Sequence, residues 1–139
     1  VGETEAVALA ALVSQCWGTV ATADATIDAE CDVTLQADPS RLADVFENLF
    51  RNAVEHGDDN VSITVAMTDD GFYIADDGSG IPEDKREQIF ETGYSTNRDG
   101  TGFGLAIVRE IVEAHGWEIT VGDSETGGAR FDITGVDIA

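Results

Sequence analysis

Positive charge is what this chain most lacks: of 139 residues seven are Lys or Arg, against 28 Asp or Glu, for a formal net charge of -21. That shortage excludes duplex nucleic acid as a partner, because holding a phosphate backbone takes clustered Lys and Arg. Long apolar runs are missing too, and none approaches the roughly 18 residues that a membrane span needs. The first residues carry Glu3 and Glu5 where a signal peptide would be basic, so neither a secretory nor a transit sequence is expected, and a cytoplasmic location is. Cysteine is limited to Cys16 and Cys31, outside any Cys-x-x-Cys or His-rich spacing, which excludes metal or redox chemistry there. Both read as small apolar residues in a reducing compartment. Two prolines and 42% hydrophobic residues argue against global disorder, and the length fits a single domain over residues 1–139.

The acidic residues are scattered along the chain rather than gathered in one tail, and six of the seven cations are arginine, with Lys85 the one lysine. Self-repulsion at this charge is severe in dilute buffer, whereas at 1 M salt the screening length falls to about 3 Å. The pattern reads as a salt-adapted surface from a halophilic, archaeal source; an ordinary acidic protein is the alternative.

Hydrophobic spacing divides the chain into elements. Val7, Leu9, Leu12, Val13 and Cys16 form a helical stripe over 5–17, with Thr4 as its cap. Short extended pieces follow at Thr26 to Asp28 and Cys31 to Leu35. Asp38-Pro39 then supplies an N-cap and a proline at the first helical position. From Pro39 to His56, Leu42, Val45, Phe46, Leu49, Ala53 and Val54 make a broad core-facing stripe. On another side of that helix Asn48, Asn52 and His56 stack at intervals of four, a polar row that either meets solvent or faces a ligand. Val61 to Met67 and Phe72 to Ala75, joined by Asp69-Asp70-Gly71, read as a hairpin. Its second strand runs into Asp76-Asp77-Gly78-Ser79-Gly80-Ile81-Pro82, followed by a short helical stretch from Glu83 to Phe90 and a polar loop over 91–101. A helix from Gly102 carries Leu105, Val108, Ile111, Val112 and His115 on one face and stops at Gly116. Trp117 to Val121 and Ala129 to Thr134 close the chain as a second hairpin.

Gly100, Gly102 and Gly104 lie at the mouth of that last helix, where unbonded backbone amides and the positive end of the helix dipole can hold phosphate oxygens. Alone, the run fits a simple turn as well as a phosphate loop. It is neither a Walker motif, lacking Gly-Lys-Ser/Thr, nor a Rossmann fingerprint, since no strand precedes it.

Three such features in order, the Asn48/Asn52 face, Asp76-x-Gly78-x-Gly80 at a strand exit and the glycine helix entry, resemble one family. The chain is similar, from about Thr4 to Val136, to the ATP-binding catalytic domain of sensor histidine kinases, whose Bergerat-type fold is shared with type II topoisomerases, Hsp90 and MutL. Asn48-Leu49-Phe50-Arg51-Asn52-Ala53 resembles the N box, Asp76 to Ile81 the G1 box, Ile89-Phe90-Glu91 the start of the F box, and Gly100-Thr101-Gly102-Phe103-Gly104-Leu105-Ala106-Ile107-Val108 the G2 box. The resemblance implies an α/β (α+β) two-layer sandwich, a mixed β-sheet with about three helices on one face.

It also implies roles. Asp76 would accept a hydrogen bond from the adenine amino group; a carboxylate only accepts, so it favours adenine's donor over guanine's carbonyl. Gly78 and Gly80 would let the backbone pass close to the base, next to Ile81. The amide oxygen of Asn52 would ligate Mg²⁺, a hard cation that also holds the ATP phosphates. Gly100, Thr101, Gly102, Phe103, Gly104 and Leu105 would form the phosphate side of the site, with the loop from Glu91 to Thr101 as a lid. Asn48 stands where the ATPases of this fold carry a water-activating glutamate. An amide takes no proton at neutral pH, so the implied reaction is phosphoryl transfer to another acceptor rather than hydrolysis. Asn48 and Asn52 are thus the candidate catalytic pair.

Neither His56 nor His115 sits in a phosphoacceptor pattern, so the accepting histidine is expected on dimerisation and phosphoacceptor helices upstream of Val1 in a longer protein, with a response regulator downstream and the fragment itself monomeric. His56 lies on the Asn face, where nucleotide contact and solvation are equal alternatives; Arg98 is divided in the same way between the γ-phosphate and solvent. Phe90 and Tyr94 are candidates for the lid, with packing as their plainer role. His115 reads as structural. Departures from the family pattern are Glu55, where relatives carry lysine, Gly93, where a second aromatic is usual, and Phe103 in place of leucine. Competing readings are a serine kinase of the anti-sigma-factor type, a nucleotide-responsive module without catalysis and a hydrolysing ATPase.

Overall fold

The computed structural model describes residues 4–19, 26–30, 32–56, 61–77, 103–123 and 127–137. Ten elements follow in order: β1 (Glu5–Ala8), α1 (Leu9–Thr19), β2 (Thr26–Glu30), β3 (Thr34–Ala37), α2 (Pro39–His56), β4 (Ser62–Met67), β5 (Gly71–Asp76), α3 (Phe103–Ala114), β6 (Glu118–Asp123) and β7 (Ala129–Thr134). Five strands form one mixed sheet in the order β2-β4-β5-β7-β6, and β1 pairs with β3 in a separate two-stranded sheet. Only β2 and β4 run parallel; the other pairs in the large sheet are antiparallel. Three helices and a mixed sheet are the architecture that the motifs imply.

Alternation along the strands decides which face is covered. Ile63 and Val65 on β4, Phe72 and Ile74 on β5, and Phe131 and Ile133 on β7 are all buried, and the register sets Val65 opposite Ile74 and Ile74 opposite Phe131. With a side-chain period of two, these residues share one face. Thr64, Tyr73, Arg130 and Asp132 take the other, where the Arg130 guanidinium lies 3.9 Å from the Tyr73 ring centroid and pairs with Asp132 at 3.0 Å. The inner face meets α2 through aromatic rings: Phe46 stacks on Phe72 at 5.5 Å, Phe46 lies 5.7 Å from Phe50, and Phe50 meets the edge of Trp17 of α1 at 5.4 Å. Every described member of the α2 stripe, Leu42, Val45, Phe46, Leu49 and Ala53, is buried.

The start of α2 is closed as expected. Asp38 Oδ1 accepts from the backbone amides of Ser40 at 3.1 Å and Arg41 at 3.4 Å, the second and third helical positions. The other end of α3 is also legible. Gly116 adopts φ 81° and donates to Glu113 O, while Trp117 N reaches back to Val112 O, a paired closure that requires a left-handed residue at Gly116.

The expected helix over 5–17 is corrected at its first turn. Residues 5–8 are strand β1, paired antiparallel with β3 through Glu5↔Ala37 and Val7↔Leu35, and α1 begins at Leu9, whose amide donates to Val33 O. Val7 fits a helical stripe and an alternating strand equally well. The choice is made by Leu35, 28 positions away in the chain and buried beside it, which no local window contains. The extended pieces also shift, to Thr26–Glu30 and Thr34–Ala37. The short helix expected at Glu83 to Phe90 lies outside the described residues.

Cys16 is buried on α1, with its thiol directed to Ala43 O at 3.6 Å. Burial, and then the nearby carboxylates of Glu47 and Asp44, push its pKa up to about 11 from 9.0. The folded chain therefore keeps a proton that the unfolded chain loses, and stability falls as pH rises from about 9 towards 11, on the order of 1 kcal/mol per pH unit. Urea melts of the parent chain and of Cys16→Ala across this range should diverge, the parent losing stability faster; parallel curves would contradict the assignment.

Candidate nucleotide site

Two adjacent aspartates leave β5 in opposite directions. Asp76 shares the inner face with Phe72 and Ile74 and lies at the end of the strand, where its Oδ1 accepts from Ala129 N of β7 at 3.2 Å. Asp77 turns towards β4: its Oδ1 accepts from Ser62 N at 2.7 Å, and its own amide donates to Ser62 O at 3.2 Å. Asp77 thus finishes the β4–β5 edge, and the half-buried Asp76 carboxylate sits on the side covered by α2. Of the two acids in Asp76-Asp77, the first has the position for a ligand under the helices.

On α2, Asn48 is half-buried and its Nδ2 donates to Asp44 O one turn earlier at 2.8 Å. That bond uses an amide hydrogen on the helix backbone and fixes which way the amide is turned. Asn52 and His56 occupy the next two turns of α2, but their side chains lie outside the described residues. So do Gly78, Gly80, Ile81, Phe90, Tyr94, Arg98, Gly100, Thr101 and Gly102 altogether, and the side chains of Phe103, Gly104 and Leu105, which open α3. Among the described residues, then, the candidate site is represented by Asn48 on α2, Asp76 at the end of β5 and the start of α3.

A clip between helices holds that arrangement. His115, just past α3, keeps its Nδ1 2.8 Å from Ile111 O, and its Nε2 accepts from the amide of Asp38, the residue that caps α2, at 3.1 Å. The pairing assigns the tautomer, with hydrogen on Nδ1 and the lone pair on Nε2. The ring stacks on Trp117 at 4.4 Å. His115 is structural, as its place on the apolar stripe suggests, and it ties the end of one site helix to the beginning of the other.

Two contributors escaped the sequence reading. Gly128 and the amide of Ala129 were legible only as a hairpin approach, yet they abut Asp76. The available signal was a double glycine immediately before a strand, more flexibility than a hairpin loop of that length demands.

Comparisons with known proteins identify the family and the fold. Residues 37–136 match the family described as histidine kinase-, DNA gyrase B-, and HSP90-like ATPase. The chain is 43% identical over 105 residues to the sensor histidine kinase ZraS of Escherichia coli O157:H7, covering 71% of this chain and 22% of that protein. It is 37% identical over 112 residues to the sensor protein PhoQ of Escherichia coli K12, covering 78% and 23%. Among solved structures, the catalytic domain of histidine kinase ThkA, nucleotide-free, superposes with a TM-score of 0.80 at 28% identity over 95% of this chain and 94% of that one. Full-length ShkA in complex with AMPPNP gives 0.78 at 28% identity over 100% of this chain and 32% of that one. The chain belongs to the family of histidine kinase-, DNA gyrase B-, and HSP90-like ATPases, and its fold is that of histidine kinase ATP-binding domains. It spans about a fifth of the length of these curated relatives.

Replacing His115 by Ala removes the acceptor for Asp38 N and the ring stacked on Trp117. The expected cost is about 1–3 kcal/mol, read as a lower urea midpoint, with the far-ultraviolet spectrum of the folded state unchanged.

Proposed function

We propose that the chain, over residues 1–139, is the ATP-binding catalytic domain of a sensor histidine kinase, and that it donates the γ-phosphoryl group of Mg-ATP to a histidine on phosphoacceptor helices of the same protein. A response regulator then takes the phosphoryl group onward. The observation that carries the reading is Asp76, an anchored carboxylate on the helix-covered face at the end of a central strand. The sensor kinases similar to this chain, and the AMPPNP held by ShkA, support the same nucleotide and the same reaction class.

The residues divide the work. Asp76 accepts from the adenine amino group, flanked by Gly78, Gly80 and Ile81. The amide oxygen of Asn52 suits Mg²⁺, which prefers oxygen ligands and binds through few protein groups when phosphates supply the rest. When bound, the ion draws charge from the phosphoryl oxygens. The glycine entry to α3 presents amides to the phosphates, and Asn48 supplies polar positioning without a base. Phe90, Tyr94 and Arg98 belong to the lid, and His56 to the nucleotide side of α2. Catalysis is mainly positioning and charge stabilisation, and the attacking imidazole comes from the partner helices.

Calorimetric titration with Mg-ATP in multimolar KCl tests the reading. Saturable binding is expected in the parent chain, weakened at least tenfold by Asp76→Asn and by Asn52→Ala. Binding that ignores both changes, in folded protein, would refute the site.

A halophilic, archaeal source is part of the proposal, supported by the net charge of -21. The thermal midpoint should rise steeply between 0.1 and 2 M KCl as repulsion is screened. A midpoint that does not change with salt would leave an ordinary acidic protein.

A further inference from the structure

The ladder between β5 and β7 stops one residue early. Its last pair is Ala75↔Arg130, and the next amide on β7, that of Ala129, donates to the Asp76 side chain instead of to a strand carbonyl. The chain can come this close because Gly128 has no Cβ. A methyl built there would overlap Asp76 O and Oδ1 and lie 2.6 Å from the Asp76 carbonyl carbon; the carboxylate could turn aside, but the two backbone atoms could not. Gly128 and Ala129 are both buried. On the opposite side, the Asp77 carboxylate holds Ser62 N of β4. The backbone at Asp76 is thus clamped between its two neighbouring strands, and the carboxylate is clamped by the second of them.

We propose that Gly128 and the Ala129 amide are positioning residues that set the orientation of the Asp76 carboxylate, and so the preference for a purine with an exocyclic amino donor. The inference rests on the reading of Asp76 as the base contact. A carboxylate at a strand end has two torsions to lose on binding a base. Pinning Oδ1 to a rigid strand removes that loss in advance and aims the acceptor plane, which is where hydrogen-bond discrimination resides. A methyl group at 128 forces the start of β7 away from β5, lengthens the 3.2 Å bond and releases the carboxylate, without altering any group that touches ligand.

The test compares ATP with purine riboside triphosphate, which lacks the 6-amino group, by calorimetry on the 139-residue chain and two variants. One is Gly128→Ala. The other replaces the Ala129 amide by an ester, which removes the donor, sets an oxygen against the carboxylate and adds no bulk; it decides alone if Gly128→Ala does not fold by circular dichroism. Affinity for ATP should fall about tenfold in each folded variant, while affinity for the analogue changes less than about twofold, so that the preference collapses. Variants that keep the parent's ratio, including those that lose both nucleotides equally, overturn the positioning role alone. A parent chain that binds neither nucleotide overturns the reading of Asp76, and this inference with it.

Discussion

The stack of Phe46 on Phe72 is the contact on which the remaining geometry depends. It brings α2 onto the centre of the sheet at β5, with both rings fully buried and 5.5 Å apart. Phe46 is two residues from Asn48, and Phe72 is four from Asp76 on the same strand face. One aromatic pair therefore fixes the relation between Asn48 of α2 and the carboxylate at the end of β5. Phe50 and Trp17 extend the stack to α1, so the outermost helix is positioned through the same rings. A loss at Phe46 would be felt as a cavity beneath the site as well as lost burial, on the order of 3–5 kcal/mol for truncation to Ala.

A second constraint acts at the far end of the helices. α3 would be held beside α2 by apolar contacts alone, which resist separation well and sliding poorly. Val108, Ile111 and Val112 are buried, but such side chains tolerate small shifts of register. The His115 bond to Asp38 N is directional and removes that freedom. Because Asp38 also caps α2, the bond is made to a turn that is itself closed by hydrogen bonds. The end of α3 and the start of α2 are thereby braced against each other.

The legibility of this chain follows how local each determinant is. The span of α2 could be read to the residue because its start is an Asp-Pro cap and its stripe is regular, both properties of a single helix. The β4–β5 hairpin, the Gly116 stop and the family motifs are local in the same sense. β1 was not legible: Glu5–Ala8 borrows its structure from Thr34–Ala37, and Val7 satisfies two periodicities. Gly128 was hidden for a related reason. Its need for glycine comes from Asp76, 52 positions earlier, and its own torsions do not announce it. Motif reading proposes residues for contact with a ligand. The residues that hold those residues lie on other strands and leave only a glycine or an amide as their trace.

Placing a polyanion on a chain with a net charge of -21 sets long-range repulsion against short-range fit. The two act over different distances, and salt separates them. Field effects among surface carboxylates extend over about 10 Å at 0.1 M salt and about 3 Å at 1 M. The bonds at the end of β5, Ala129 N to Asp76 at 3.2 Å and Ser62 N to Asp77 at 2.7 Å, are direct contacts. Raising the salt therefore strips away most of the opposing field and leaves the hydrogen-bond geometry as it was. An acidic surface is compatible with a nucleotide-binding fold because hydrogen bonds between neighbouring strands act at contact distance, and the charge that opposes a polyanion's approach is the part that concentrated salt can screen.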